Sequence, residues 1–503
     1  MRARTMGFGL IAVAILAAVA LVLLPRLLQP EQVTPQTCWP TQGWRTSTPE
    51  EQGLDSLKLA EGLQGLVELG TPIDSLTVIR NGSMLLDATF YPYNGTTVHK
   101  LASVTKSVMT TLIAIAANQG KLRLDQPMLE YFPDRTIANL DGRKEHITVR
   151  HLAGMANGFQ SGCFDRDEQT LDAMRANPDL VQAALDRKVI HEPGSSFCYD
   201  SPGMHLLSAI LQQATGMTAL DFARQNLFEP LGIRNVVWES DPQGYSHGWG
   251  DLYLTPGDAA KIGYLWLNSG VWEGKQIVPA AWVEDSVKVQ MEAVPDDYGY
   301  GWWVASDGYY ATGRGGQNIR VYPSLNAVVV TTAGGLDYSQ VGSFLGAALI
   351  DPDKPLPANP SGTAQLDQTL ARISQSPPPQ PVGPLPETVR RVSGQMYVFQ
   401  PNPAEVESLS LEFDDSSQAV MHVRRMGIDS ILDWPIGLDG VYRLSSTGEA
   451  LRGSWIDSQT FVFDLTIFGE SYNRSYSLQF QGDRVVLSSS AEGISLEGQM
   501  ENP

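Results

Sequence analysis

Ser103-Val104-Thr105-Lys106-Ser107-Val108-Met109-Thr110-Thr111-Leu112-Ile113-Ala114-Ile115-Ala116 sets a hydroxyl and an amine at the head of an apolar run that no proline or glycine interrupts. Val104, Val108, Met109, Leu112, Ile113 and Ala116 recur at helical spacing, which predicts a helix over 103–118. Residues three apart share a helix face, so the Ser103 hydroxyl and the Lys106 amine can meet. An amine in that place can take the proton a serine must lose to become a nucleophile. The spacing alone is weak: about one accidental match is expected in a chain with this many Ser and Lys, and the plain alternative is a capping serine beside a solvated lysine.

Upstream of this helix, 75–90 read as two strands around Asn81-Gly82, a dipeptide that tolerates the positive φ of a tight hairpin turn. Far downstream, 301–304, 309–312, 319–322 and 327–332 read as further strands. Helical patterns fill the interval, among them 201–215 and 259–268. The second opens with Thr255 as a cap, Pro256 in the first turn and Asp258 to complete a capping box. Strands at both ends with helices between predict an α+β fold, one antiparallel sheet built from N- and C-terminal segments and flanked by helices.

A chain of 503 residues is too long for one ordinary core. Between Asp351 and Glu387 it turns proline-rich, with Pro377-Pro378-Pro379, Pro381, Pro384 and Pro386, which predicts a semi-rigid linker with one short helical stretch near 366–373. Beyond it, 408–413, 420–424, 440–444, 460–465, 476–480 and 484–488 are short alternating segments separated by turns such as Gly448, Gly469 and Gly482-Asp483, the pattern of an all-β barrel or sandwich. Nothing in that region gathers the polar residues chemistry would need, and its sequence names no partner. The expected division is an anchor or signal segment over 1–31, a catalytic domain over 32–350, a linker over 351–388 and an all-β domain over 389–503.

Residues 7–24 are uncharged and apolar, flanked by Arg2, Arg4 and Arg26, and long enough at helical rise to cross a membrane. A transmembrane anchor is the preferred reading and a signal peptide cleaved near Ala18-Val19-Ala20 the alternative. Either places the rest of the chain outside the cytoplasm, periplasmic or extracellular, secreted if the segment is cleaved. The net charge of -20, without a Lys/Arg cluster, sets nucleic acid aside as a partner. Of Cys38, Cys163 and Cys198, the pair Cys163 with Cys198 is the preferred disulfide, because both lie in loops flanking motifs that should converge; three free thiols are the alternative.

Two further motifs follow the first. Tyr199-Asp200-Ser201 leads into the helix at 201–215; a phenol beside a cation is an acid/base partner, although a lone tyrosine before a helix is more often a packing residue. Gly313-Arg314-Gly315-Gly316-Gln317 enters the strand at 319–322. Gly315 and Gly316 would let a substrate lie close to the strand edge, and Arg314 would supply positive charge to an oxyanion or a carboxylate; the alternative is a glycine-rich hairpin turn. No Gly-x-Ser-x-Gly elbow is present. The histidines lack zinc-ligand spacings, and His99 and His151 read as structural hydrogen-bonders.

The run Trp44-Arg45-Thr46-Ser47-Thr48-Pro49-Glu50-Glu51-Gln52-Gly53-Leu54, His99 to Ser107, His151-Leu152-Ala153-Gly154-Met155, Tyr199, Tyr298-Gly299-Tyr300-Gly301-Trp302-Trp303 and Gly313 to Gln317 together resemble the β-lactamase-related serine hydrolases. That superfamily includes class C β-lactamases, D-alanyl-D-alanine carboxypeptidases, family VIII esterases and 6-aminohexanoate-dimer hydrolases, and the likeness covers 38–350. It implies a β-lactamase/penicillin-binding-protein-like fold with a helical subdomain, an acylated Ser103, proton transfer through Lys106 and Tyr199, and an oxyanion hole from the backbone N–H groups of Ser103 and Gln317. It also implies a small ester or amide substrate and no metal or organic cofactor. Two positions depart from the pattern. Ser201 stands where asparagine is usual, and a hydroxyl cannot imitate both ends of a carboxamide. Arg314 stands where lysine or histidine is commoner, and a guanidinium binds anions without donating its proton. An esterase or amidase is therefore expected ahead of a low-turnover acylated receptor or a D-alanyl-D-alanine peptidase or β-lactamase.

Overall fold

The computed structural model describes residues 39–413, 417–471, 473–490 and 493–501. The expected membrane segment and Cys38 lie outside the described residues. Among these, no helix is long and apolar enough to cross a membrane.

The hairpin expected around Asn81-Gly82 forms from Ile73–Arg80 and Ser83–Thr89, with φ of 49° and 74° at its two turn residues. Every residue of Ile73–Arg80 is buried, because it sits inside an eight-stranded sheet. The order across that sheet is Arg45–Thr46, Ser83–Thr89, Ile73–Arg80, Ala327–Ala333, Gln317–Tyr322, Gly308–Gly313, Trp303–Ala305 and Asp297–Tyr298. N- and C-terminal strands meet where Ile73–Arg80 pairs antiparallel with Ala327–Ala333. The sheet is mixed rather than antiparallel throughout, because Arg45–Thr46 enters from a separate segment and joins the edge in parallel with Ser83–Thr89.

Alternate residues of a strand face opposite sides. Val329 lies in the cluster formed with the helices Ser56–Glu68, Tyr338–Ala348 and Pro360–Ile373, through Leu59, Leu63, Val341, Leu366 and Ile373. Val328, on the other face, meets the helix Pro256–Leu267 so closely that a methyl group at Gly263 would come within 2.6 Å of it. Thr255 caps that helix by accepting the Asp258 N–H, but the Asp258 carboxylate turns to Lys261 at 2.9 Å, so the expected capping box is only half made.

Pro360–Ile373 is longer than the stretch expected inside the linker, with Asn359 as its cap and Pro360 in its first turn. Its buried Leu366 and Ile373 make it physically part of the core against the eight-stranded sheet.

In the C-terminal region, Ile431–Gly437, Gln418–Arg425, Val406–Phe413, Met396–Phe399, Ile494–Met500, Arg484–Ser489, Arg474–Gln481, Thr460–Ile467 and Glu449–Trp455 pair in that order. The first and last then pair in parallel, closing a nine-stranded barrel among the described residues. Closure removes the free edges an open sheet would expose. Phe461, Phe463, Leu465, Leu478 and Phe480 fill its interior with Val392 from the preceding helix Thr388–Val392.

Candidate active site

Ser103 stands in a short 3₁₀ turn, Ala102–Val104, that runs directly into the helix Thr105–Asn118. Ala102 has φ of 46°, a left-handed conformation that a side-chain-bearing residue holds only when its surroundings over-determine it. Those surroundings are tight: a methyl group at Gly313 would sit 2.9 Å from the Ser103 N and 2.5 Å from the Leu101 carbonyl. The helix is buried on all sides from Thr105 to Ala116, as a central helix must be. Lys106 is carried inside with it at 2% exposure, while Ser103 remains partly open to solvent.

The Lys106 Nζ donates to Ser103 Oγ at 2.8 Å and to the Trp249 carbonyl at 2.8 Å. It also lies 4.8 Å from the centre of the Tyr199 ring, which stacks on Trp303. Residues 103, 106 and 199 are therefore brought together. Tyr199 is pinned from both sides in sequence. Cys198 is joined to Cys163 by a disulfide, the preferred pairing, and Asp200 is held by Arg187 at 2.5 Å and by the Asn157 amide at 3.0 Å.

Ser201 opens the helix Ser201–Thr215, and both its N–H and its hydroxyl donate to Asp167, at 2.7 and 2.5 Å. Its hydrogen is thus committed inside the protein rather than offered to a ligand. Asp167 is a residue the sequence reading passed over. Burial pushes its carboxyl up, opposed by the charge of Lys106 and by the Ser201 hydrogen bonds. It lies on the helix Cys163–Arg175 one turn after the disulfide, so the signal was the i, i+4 spacing from Cys163. The neighbouring Glu168 reaches 3.3 Å from Arg314, which links this helix to the third motif.

In that motif Gly313 and Gln317 face each other across the hairpin made by Gly308–Gly313 and Gln317–Tyr322. Directly opposed residues of an antiparallel pair lie about 5 Å apart, so the Gln317 backbone is one strand spacing from the glycine that touches Ser103. The Gln317 side chain is buried and spans to the end of Ala327–Ala333, its Nε2 donating to the Ala333 carbonyl at 2.5 Å. Gly315 and Gly316 have φ of 86° and 94°. Their closeness serves the protein's own packing rather than an open strand edge. A methyl group at Gly315 would overlap the Ser471 carbonyl of the barrel, and one at Gly316 would come within 2.6 Å of Leu336.

His99 is fully buried with Nε2 2.9 Å from Asp74, and His151 closes the cap of Val149–Ala153 with Thr148. Both are structural, as expected. Glu239, His247 and Asp251 bring their side-chain donor atoms within 4.8 Å of one another, but the Lys100 ammonium stands among their oxygens, 3.0 Å from Asp251 and 4.0 Å from Glu239.

A family model described as β-lactamase matches residues 59–340. Protein flp of Staphylococcus aureus (strain MW2) is 25% identical over 177 residues, 33% of this chain and 35% of that protein, so the chain spans about a third of that relative's length. The 6-aminohexanoate-dimer hydrolase of Paenarthrobacter ureafaciens is 25% identical over 317 residues, 56% of this chain and 79% of that one. A Bacillus anthracis structure provisionally named a 6-aminohexanoate-dimer hydrolase superposes with a TM-score of 0.52 at 19% identity, covering 62% of this chain and 88% of its own, which is a likeness of fold.

Proposed function

The chain belongs to the β-lactamase family of serine hydrolases, and from that premise we propose that it cleaves a small ester or amide through an acyl-Ser103 intermediate. The observation that carries the reading is the Lys106 Nζ at 2.8 Å from a partly exposed Ser103 Oγ, with the Tyr199 ring at 4.8 Å. In this mechanism Lys106 accepts the Ser103 proton as Oγ attacks the substrate carbonyl carbon. The N–H groups of Ser103 and Gln317 receive the oxyanion as it forms. The proton passes by Lys106 and Tyr199 to the departing alcohol or amine, and water then repeats the attack on the acyl-enzyme, freeing the acid and returning the proton to Ser103.

Esters and simple amides suit the site better than β-lactams or peptides. The Ser201 hydrogen is held by Asp167, and the Arg314 charge is answered by Glu168. Neither residue is left as the carboxamide clasp or the bare cation that an amide with a neighbouring carboxylate would call for. A disulfide beside Tyr199 supports a location outside the cytoplasm, where such bonds persist, with the membrane reached through the N-terminal segment.

The test is incubation of the exported portion with a fluorophosphonate probe and a chromogenic ester, in parallel with Ser103→Ala. Labelling and turnover that both vanish in the variant support the hydrolase. Labelling without turnover supports instead an acylated receptor of low turnover, and neither in the wild type overturns the reading.

A further inference from the structure

We propose that the barrel turn at Gly469, Glu470 and Ser471 is part of the catalytic apparatus, one that positions both the segment leading into Ser103 and the third motif. This rests on Ser103 being the nucleophile.

The turn follows the barrel strand Thr460–Ile467 and enters the catalytic domain instead of ending in solvent. On one side it holds the lead-in to the nucleophile. The Gly469 carbonyl accepts the Lys100 N–H at 2.6 Å, and a methyl group at Gly469 would overlap the Val98 carbonyl. The Glu470 carboxylate lies 3.6 Å from the Lys100 ammonium and accepts the Tyr253 hydroxyl at 3.0 Å. Burial alone would lower the Lys100 pKa, but Asp251 and Glu470 beside it raise it, so the ammonium stays charged and the contact stays ionic. Lys100 is three residues before Ser103 and lies in the short strand His99–Lys100, which pairs with Leu252–Leu254.

On the other side the turn holds the third motif. Ser471 is fully buried, and its carbonyl fills the space a side chain at position 315 would need. The Gly315 carbonyl accepts the N–H groups of Gly335 and Leu336 at 2.8 and 3.0 Å, while the Asn473 N–H donates to the Gly334 carbonyl at 3.4 Å. The motif is therefore clamped between the end of a central strand and the barrel. A barrel that merely hung from a linker would place no carbonyl against Gly315. Glu470 acts through Lys100, so it is a positioning residue.

The full-length protein is compared with Glu470→Gln, which keeps the turn's shape and weakens its hold on Lys100, and with Gly469→Ala, which forces the turn off Val98. The readouts are amide hydrogen exchange at 313–317 and kcat and KM for p-nitrophenyl acetate, butyrate and octanoate. Both variants are expected to exchange several-fold faster at 313–317 while keeping fluorophosphonate labelling. For all three esters kcat should fall several-fold with KM little changed, because the nucleophile is misplaced and not the bound acyl chain. Unchanged exchange overturns the hold on the third motif, and an unchanged kcat overturns the positioning of Ser103. A wild type without Ser103-dependent turnover would sink the proposed hydrolysis instead, and the exchange result would still decide the hold on the third motif.

Discussion

Around Ser103 the catalytic domain buries polar atoms and gives them partners: Lys106 with Ser103 and Trp249, Asp200 with Arg187 and Asn157, Asp167 with Ser201. The barrel buries Leu409, Phe461, Leu478 and Phe480 and leaves ion pairs such as Arg425–Glu405 and Arg484–Glu497 on exposed side chains. A buried polar group needs a particular partner in a particular direction, whereas apolar contact is indifferent to direction. The first region therefore encodes one geometry and the second encodes chiefly stability. The barrel departs from its own rule at Gly469 to Ser471, where it meets the catalytic domain.

The largest effect expected from this contrast is Lys106→Ala. Removing the proton acceptor should lower ester kcat by about 10²- to 10⁴-fold with the circular dichroism spectrum unchanged. Equal turnover would break the assignment of chemistry to the buried polar cluster. In the barrel, Leu478→Ala empties a fully buried site and should cost about 2–5 kcal/mol in denaturant unfolding, with fluorophosphonate labelling intact at room temperature. Loss of labelling without unfolding would show that the two regions are more tightly coupled than the turn at 469–471 and the contact of Tyr91 with Tyr442 allow. Replacing both Cys163 and Cys198 with Ser opens a loop of 35 residues and should cost about 2–4 kcal/mol in the same measurement, and should lower kcat by freeing the backbone next to Tyr199.

The smallest effect is a pH dependence of stability. Burial holds the His205 pKa below the ordinary histidine value, and its Nε2 lies 3.0 Å from an equally buried Asp241. The unfolded chain takes up this proton below about pH 6.5 and the folded chain does not, so stability falls as pH drops below that value until the folded pKa is passed. The expected slope is up to about 1.4 kcal/mol per pH unit, read from thermal unfolding, and His205→Gln should flatten it.

What was legible in the sequence was what side chains carry at fixed spacing. The helix Ser201–Thr215, the hairpin around Asn81-Gly82 and the meeting of Ser103, Lys106 and Tyr199 all follow from periodicity, turn chemistry and motif order. What was missed is written in backbone or across distance. The Trp249 carbonyl that holds Lys106 has no side-chain signature, and Asp167 reaches Ser201 across 34 positions. Four barrel strands escaped: Met396–Phe399 is only four residues long, and the other three escaped for local reasons. Ile431–Gly437 contains Pro435, while Gly453 in Glu449–Trp455 and Gly498 in Ile494–Met500 interrupt the alternation of side chains. Those glycines lie under aromatic rings: a methyl group would come within 2.6 Å of Phe461 at the first and 2.7 Å of Phe399 at the second. Similarly, Asn359 and Pro360 marked the start of a helix that the surrounding prolines obscured.

Gly315, in the third motif, is kept free of a side chain twice over, by its φ of 86° and by the carbonyl of a neighbouring module in the space. That makes its identity conditional on architecture. A homologous chain that stops before any barrel has no Ser471 carbonyl overhead, and there only the left-handed backbone still favours glycine, so asparagine becomes admissible at the same alignment column. The residue in this column and the presence of a C-terminal extension should therefore be inherited as a pair. A grafted active site taken without its extension would carry a glycine required by its backbone alone.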